Sequence, residues 1–549
     1  MIRTMPKFYL SPSRIARYYF LECDRFLRYM SVPGARRQEE GIPPVEHDFS
    51  PVTQAVLDGG MEWEREVLAD HLQGPVILPQ LGEAASEGAD VSDRKLSYAD
   101  TVAALDVLAA GESIYQPTLH VPDRFYSRFG LDRNLIEFRD CYPDLLMALD
   151  GPVGRAVGVI DIKASNMMKL SHRIQVGVYT LILEEILAEE GIGASISRMG
   201  GVWLYGQPEP EWFNLANIIP PIATFLEEEL PRVLRQGKDD TFWHLNYRCE
   251  WCEYFSHCHN EADLTDNVSL VPYMSHFAKR HLVGAGDIRT VGDLAAALNT
   301  PAAPALVAGS ASLEGRLRQL SQQVEALRSG DAVPTGAASV SMPKGEQLRI
   351  VLTLQSEPLT GQMYGYGINR VFGKDLFPTP TATVTRVAAA NSEAALRDLR
   401  RSLVTDLMSI LGTIHAHNTA TDDWRSQKAV QTYVFDTYER GLLTSVLLDA
   451  ALDPEVAKDA LTLLFYFQRP EIVEAEDHPD TEVFFPVIAL TEVIRSMLAL
   501  PVPVSYQLGP VSRALAPSEY GWEYRESDFF SFRLSNRMKS NAIFEVWHR

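Results

Sequence analysis

Three of the chain's five cysteines fall within ten residues, in the segment YRCEWCEYFSHCHNEAD that runs from Tyr247 to Asp263. Five cysteines in 549 residues do not make a disulfide framework, and the clustering of Cys249, Cys252 and Cys258 indicates a metal or cluster site in a reducing compartment. A tetrahedral site needs a fourth ligand. The chain therefore has to bring a further residue to this segment from elsewhere.

Size and charge narrow the class of protein. The length allows two to four domains, and an apolar content of 46% is sufficient for large cores. The net charge of −22 argues against a basic coat that binds nucleic acid everywhere, but it allows a local basic channel. Residues 1–40 carry eight Lys or Arg against four acidic residues, which fits either a channel or a solvated helix face. Without an apolar run of about 18 residues or a signal peptide, we expect a soluble, cytoplasmic protein with no membrane partner.

Local patterns predict alternating helices and strands in the first half. Ser11 is a suitable N-cap for a helix that begins at Pro12, and Cys23 falls near the end of that helix. The other predicted helices cover about 53–72, 170–190 and 218–237, and the predicted strands cover 135–149, 156–164 and about 198–205.

The second half combines a helical unit with a further α/β region. Thr290 and Asp293 are placed to cap the second helix of a helix-hairpin-helix-like unit, and an amphipathic helix is predicted over 312–329. Strands at 348–355 and 361–370 precede helices predicted at about 393–413, 439–450 and 487–499. We therefore predict an α/β protein with domains at 1–265, 266–335 and 336–549.

A second group of residues indicates metal-dependent hydrolysis. Asp144 lies between apolar runs, and Asp161-Ile162-Lys163 ends an apolar strand on which Asp161 and Lys163 share one face. Carboxylates on adjacent strands are costly to cluster unless a cation such as Mg²⁺ or Mn²⁺ binds them, together with a backbone carbonyl such as that of Ile162. The metal would activate water, and Lys163 would position that water or neutralise charge. An ordinary surface salt bridge is the alternative interpretation.

Two neighbouring helices could complete such a site. The upstream segment GGMEWEREVL contains Glu62, Glu64 and Glu66, any of which could supply a third carboxylate. Downstream, Gln175 and Tyr179 lie four residues apart and hence on one face of a helix. That pair could face a DNA backbone or the water bound to the metal.

This glutamate helix, Asp144, Asp161-x-Lys163 and Gln175-x3-Tyr179 together resemble the RecB-type PD-(D/E)xK nuclease domain over residues 8–262. The resemblance implies a restriction-endonuclease-like core with helical N-terminal and cluster segments. It also favours Glu64 as the third carboxylate, with Glu66 second, because Gly60-x3-Glu64 fits the spacing of the family.

The cysteines resemble those of the iron–sulfur branch, which includes CRISPR-associated RecB-type exonucleases and AddB. Cys23 before the core and Cys249-x2-Cys252-x5-Cys258 after it would then hold a [4Fe–4S] cluster that joins the N-terminal helix to the end of the domain. Four thiolates suit zinc equally, so the spacing leaves zinc open. Cys141 is expected to be a core thiol.

The region beyond about 335 resembles RNase H-like domains that accompany RecB-family nucleases and are often linked to a helicase. The first strand of an active domain would read Asp-x-Glu, but Thr353 and Gln355 stand at those positions and Val434 replaces a usual histidine. Two-metal chemistry needs its carboxylates, so we expect a catalytically inactive RNase H-like domain. The chain contains no Walker A sequence, and a separate helicase or ATPase partner is expected.

These expectations describe a metal-dependent deoxyribonuclease that acts on single-stranded DNA or DNA ends, in DNA repair or in antiviral defence against foreign DNA. The alternative is a largely non-catalytic, cluster-stapled scaffold that binds nucleic acid and recruits a helicase, and a zinc-bound nucleic-acid adaptor ranks third. The intact Asp144, Asp161 and Lys163 favour the nuclease. The sequence leaves open DNA against RNA, and exonuclease against endonuclease action.

Overall fold

The computed structural model describes residues 7–46, 51–79, 95–151, 154–337, 346–356, 361–373, 375–467 and 486–515. The described chain is mixed α/β and divides into two compact units, residues 1–261 and 262–549. Among the described helices, none combines the length and the apolar character that crossing a bilayer requires.

A mixed sheet lies at the centre of the first unit. The strands of this unit are β1 (Phe8–Leu10), β2 (Val76–Ile77), β3 (Ser113–Tyr115), β4 (Ile136–Phe138), β5 (Leu145–Gly151), β6 (Gly154–Lys163), β7 (Ser195–Ile196), β8 (Met199–Leu204) and β9 (Glu211–Asn214). The sheet has the order β2-β3-β5-β6-β8-β9, and β7 also pairs with β6. Strands β5 and β6 form an antiparallel hairpin, β6 and β8 run parallel, and β1 and β4 form a separate parallel pair.

Helices surround this sheet. The described helices are Pro12–Leu21, Asp24–Ser31, Gly34–Glu39, Pro51–Glu66 with a π turn at Val67–His71, Tyr98–Val107, Asp123–Arg128, Leu170–Glu189, Ile219–Thr224 with a π turn at Phe225–Glu229, Leu230–Arg235 and Phe255–Leu264. Ser11 caps the first helix as predicted, since its side chain accepts a hydrogen bond from the Arg14 N–H. Helix Leu170–Glu189 packs against β6 and β8 and against helix Pro12–Leu21. Its buried residues run almost without interruption from Ile174 to Leu187, which places it between other elements.

The strand predicted over 135–149 is wrong in its extent. The structure divides it into β4 and β5, and between them Cys141 forms an isolated bridge with Leu119 through two backbone hydrogen bonds of 2.9 Å. Pro143 lacks an N–H for a sheet ladder, which is consistent with a break at this point. Asp144 therefore lies immediately before β5, at a strand end and not inside a strand.

The second unit contains a five-stranded sheet. Its strands are β10 (Val333–Pro334), β11 (Leu348–Ser356), β12 (Met363–Phe372), β13 (Thr381–Val387), β14 (Val430–Val434), β15 (Val487–Ala489) and β16 (Leu498–Ala499). The sheet has the order β13-β12-β11-β14-β15, while β10 and β16 form a separate pair. Neighbours are antiparallel from β13 to β11 and parallel from β11 to β15.

The described helices of the second unit are His276–Gly286, Val291–Leu298, Ala303–Ala308, Leu317–Ser329, Glu393–Thr419, Thr437–Ala451, Ala457–Phe467, Leu490–Met497 and Leu508–Leu515. The predicted cap is confirmed, because Asp293 N donates to Thr290 Oγ1 at 2.9 Å and Thr290 N donates to Asp293 Oδ2 at 3.0 Å. The helix predicted over 487–499 is wrong at its start. Val487–Ala489 is a buried strand parallel to β14, so the apolar run that suggested a helix is part of the sheet at its start.

Candidate functional site

The hairpin of β5 and β6 brings Asp144 beside Asp161, Ile162 and Lys163. The Ile162 N–H donates to Asp144 Oδ2 at 2.6 Å. Lys163 Nζ lies 2.7 Å from Asp161 Oδ2 and 3.9 Å from Asp144 Oδ2. One ammonium group thus contacts two carboxyl groups that come from adjacent strands, as strand alternation predicted for Asp161 and Lys163.

These carboxyl groups lie largely away from water. The side chain of Asp161 is 1% exposed and that of Asp144 is 18% exposed. Burial, followed by the charge of Asp161, raises the pKa of Asp144 to about 8 despite the opposing effect of Lys163. Burial disfavours the charged form of Lys163, but the charges of Asp161 and Asp144 outweigh the effect of burial and raise the pKa of this lysine. Burial and the neighbouring carboxyl group thus favour the protonated form of Asp144, and a bound cation would favour the ionised form instead.

Glu64 reaches the same site from helix Pro51–Glu66. Its Oε1 accepts hydrogen bonds from Tyr115 Oη at 2.8 Å and from Gln116 Nε2 at 2.9 Å. Burial and then the charge of Asp144 raise the pKa of Glu64, so the two carboxyl groups are close enough to interact. Glu62 and Glu66 are exposed on the same helix.

Tyr115 and Gln116 were not predicted from the sequence. The Gln116 N–H donates to the Asp144 carbonyl oxygen at 2.9 Å, and Gln116 has a φ of 48° that β-strands do not adopt. This residue therefore links the Glu64 carboxyl to the strand end that holds Asp144. The only local signal for these two residues was the short apolar segment that they end. Their position in the site depends on the pairing of β3 with β5, which joins segments distant in sequence.

Gln175 and Tyr179 face the site from helix Leu170–Glu189. Gln175 Nε2 lies 3.5 Å from Asp161 Oδ1 and 3.4 Å from Tyr179 Oη, and Tyr179 Oη donates to the Tyr142 carbonyl oxygen at 3.1 Å. Burial raises the pKa of Tyr179 well above its usual value, which keeps the phenol protonated. Gln175 thus contacts Asp161 directly, whereas Tyr179 positions Gln175 and the segment before Asp144.

His172, in the first turn of that helix, is a further residue that the sequence did not indicate. Burial and then the charges of Lys163 and Lys169 lower the pKa of His172 to about 3, so the imidazole stays neutral near the site. Its Nδ1 accepts a hydrogen bond of 3.4 Å from the Lys169 N–H. A neutral imidazole can accept or donate a hydrogen bond without adding charge.

Four cysteines line a second, separate cavity. Cys23 caps helix Asp24–Ser31, Cys249 and Cys252 lie at the turn Tyr247–Trp251, and Cys258 belongs to helix Phe255–Leu264. The cavity has a volume of about 20 Å³ and is also lined by Leu21, Trp243, His244, Tyr254 and Phe255. Cys141 lies elsewhere as a buried thiol whose Sγ is 3.2 Å from the Arg139 carbonyl oxygen.

Hydrogen-bond donors point at the cysteine sulfurs. The Asn246 N–H lies 3.4 Å from Cys249 Sγ, and Arg25 Nη1 lies 3.7 Å from Cys258 Sγ. Burial raises the pKa of Cys23 and raises that of Cys258 to about 12, which favours the neutral form of these two thiols. Four thiols with N–H donors form a donor set that suits a thiolate-bound centre.

In the part of the chain that the structure describes, no three His, Cys, Asp or Glu side chains already stand in metal-binding geometry. A scan of protein-family models finds no match to the chain, and a comparison with curated proteins also finds none.

Proposed function

We propose that the first unit is a Mg²⁺- or Mn²⁺-dependent nuclease of the RecB-type PD-(D/E)xK class, acting on single-stranded DNA or DNA ends. The observation that carries the proposal is the contact of Lys163 with Asp144 and Asp161 at a buried strand end. A buried pair of carboxyl groups is unfavourable without a counter-charge, and divalent cations prefer such oxygen ligands. Glu64 supports the proposal, because its pKa responds to Asp144.

Each residue has a role in the proposed reaction. Asp144, Asp161 and Glu64 would hold the ion, together with the Ile162 carbonyl oxygen. The ion would supply activation of a water molecule and stabilisation of the charge that develops on the phosphate. Lys163 is positioned to donate to that water or to a phosphate oxygen once the carboxylates are neutralised. Gln175 donates to Asp161 and limits the rotation of that carboxyl group.

We further propose that Cys23, Cys249, Cys252 and Cys258 hold a [4Fe–4S] cluster, with zinc as the alternative for the same ligands. The four thiols line one cavity although Cys23 comes from the N-terminal helices and the other three follow the sheet. A bound centre would join these two parts of the unit. Its loss should therefore destabilise the whole unit, since metal binding contributes to folding free energy.

For the second unit we propose an RNase H-like fold without catalysis. Support comes from its sheet, in which three antiparallel strands are followed by two parallel ones, with helix Glu393–Thr419 between β13 and β14. Thr353 and Gln355 lie on β11 where carboxylates would be needed. Glu439 is buried, and its carboxyl oxygens accept from Phe435 N at 2.7 Å and Leu354 N at 3.4 Å, which suits a structural role. A separate helicase or ATPase partner completes the proposal.

Cleavage assays test the nuclease directly. Full-length protein would be incubated with end-labelled single-stranded DNA, duplex DNA and RNA, each with Mg²⁺, Mn²⁺ or a chelator. We expect metal-dependent cleavage of DNA that Asp161→Ala loses and that Glu66→Gln, a change on the exposed side of the glutamate helix, retains. Equal cleavage by Asp161→Ala would exclude this site as the source of activity. Binding of nucleic acid without cleavage under every condition would leave the scaffold as the better description.

A further inference from the structure

Arg14 and Arg139 meet at Tyr9 in the strand pair β1–β4, and Arg37 acts on Arg14 through its charge. Arg14 Nη1 donates to the Tyr9 carbonyl oxygen at 2.7 Å, and the Arg139 guanidinium lies 5.1 Å from the centre of the Tyr9 ring. Arg37 contacts the Tyr254 hydroxyl and lies 5.6 Å from the centre of that ring. We call Arg14, Arg37 and Arg139 the arginine group.

Carboxylates neutralise the neighbouring arginines but not this group. Arg17 pairs with Glu253, and both Arg28 and Arg36 pair with Glu40. By contrast, within the described ranges no ion pair involves Arg14, Arg37 or Arg139.

Other cations surround Arg14. Burial, then the charges of Arg139 and Arg37, lower the pKa of Arg14, and Arg14 and Arg139 contact the same residue, Tyr9. The chain has 72 acidic residues, so carboxylates are abundant elsewhere. Unneutralised like charges oppose folding, and such a group is expected where an anionic ligand supplies the missing charge.

The arginine group has a defined place relative to the proposed nuclease site. Arg139 precedes Asp144 by only five residues in sequence, so their Cα atoms are at most about 18 Å apart. Hydrogen bonds hold the connecting segment in place, between Cys141 and Leu119 and from Tyr179 to the Tyr142 carbonyl oxygen. Arg139 is therefore held within that distance of Asp144, and none of the three arginines belongs to the set of residues that would bind the metal.

We propose that Arg14, Arg37 and Arg139 bind backbone phosphates of a nucleic-acid strand whose scissile bond lies at Asp144 and Asp161. A planar guanidinium group can donate two parallel hydrogen bonds to the oxygens of one phosphate. Because the protein has a net charge of −22, a polyanion can bind it only where the surface is locally positive. The choice of ligand depends on the proposed nuclease function. The arginine group adds the part of the surface that holds the strand and determines its path toward the site.

Salt dependence of binding provides the test. Full-length protein would be titrated onto a fluorescent single-stranded oligonucleotide in chelator, with anisotropy recorded at several salt concentrations. Arg139→Gln changes an exposed side chain, and we expect it to weaken binding and to reduce the slope of log affinity against log salt by about 0.7. The double variant Arg14→Gln/Arg139→Gln should reduce the slope about twice as much. In Mg²⁺, KM should rise while kcat stays at the wild-type value.

Arg124→Gln is the matched control, because Arg124 is exposed but already paired with Glu185 at 3.2 Å. An Arg139→Gln variant with the affinity and slope of this control would overturn the proposal. Competition by inorganic phosphate at the same concentration as the oligonucleotide would also overturn the proposal, because it would indicate a site for a small anion. Binding is measured without divalent ions, so a reduced slope supports the arginine group even if the protein proves not to cleave. Normal cleavage with an unchanged slope refutes the arginine group alone.

Discussion

Replacing Asp144 with asparagine should stabilise the metal-free protein while it abolishes cleavage. The folded state raises the pKa of Asp144 to about 8, compared with 3.8 for an unperturbed aspartate. Between these two pH values the unfolded chain releases a proton that the folded site retains. The folded state therefore loses stability as pH rises from about 4 to about 8, and the loss is complete above that range.

The size of the effect follows from the two pKa values. At pH 7 the retained proton corresponds to about 4 kcal/mol of lost stability. Asparagine has no proton to retain, and its amide oxygen can still accept the hydrogen bond from the Ile162 N–H. Because the asparagine amide also replaces a carboxyl group that lies 3.9 Å from Lys163 Nζ and restores its buried polar contacts only in part, we expect a net gain of about 2 kcal/mol. A unit of this size should then melt about 4–8 °C higher.

Thermal and denaturant unfolding in chelator at pH 5, 7 and 8.5 would measure this gain. The gain should be smallest at pH 5 and largest at pH 8.5. Asp150→Asn, at an exposed position on β5, is the control and should change little. Adding Mg²⁺ should stabilise the wild type more than the Asp144→Asn variant, because binding to the folded state alone raises its stability. A variant that is less stable than the wild type, or a gain that is independent of pH, would refute the reasoning.

Three further predictions concern the remaining residues. Glu64→Gln should lower metal-dependent cleavage by about 100-fold or more at fixed Mg²⁺ and shift the metal dependence to higher concentration, whereas Glu66→Gln should match the wild type in the same titration. Elemental analysis should show that Cys23→Ser has lost bound iron or zinc, and this variant should melt at a lower temperature, whereas Cys141→Ala should keep its metal. Full metal content in Cys23→Ser would remove that cysteine from the ligand set. Full-length Asp161→Ala should show no residual exonuclease activity on any labelled substrate, and residual metal-dependent cleavage would mean that the second unit is active.

Much of the local structure was predictable from the sequence. Ser11 and Pro12 determine a helix start through capping and a fixed φ, and the same kind of local chemistry places Thr290 and Asp293 at the start of helix Val291–Leu298. The alternation of side chains along β6 was enough to place Asp161 and Lys163 on one face. These features depend on residues a few positions apart, so their physical cause is contained in a short stretch of sequence.

Tertiary structure decided which distant residues meet. The resemblance favoured Glu64 among three glutamates on one helix, but only the tertiary structure brings Glu64 to Tyr115 and Gln116 while Glu62 and Glu66 stay exposed. The pairing of β4 with β1 and the strand character of Val487–Ala489 likewise depend on partners far along the chain.

The arginine group shows the same limit in electrostatic terms. Sequence shows a basic N-terminal region, but whether a charge is neutralised depends on which carboxylates the fold brings within a few ångströms. Arg17, Arg28 and Arg36 find such partners, and Arg14 instead has Arg37 and Arg139 as neighbours. Because Coulomb interactions depend on distance in space, the order of residues in the chain could not distinguish the paired arginines from the unpaired ones.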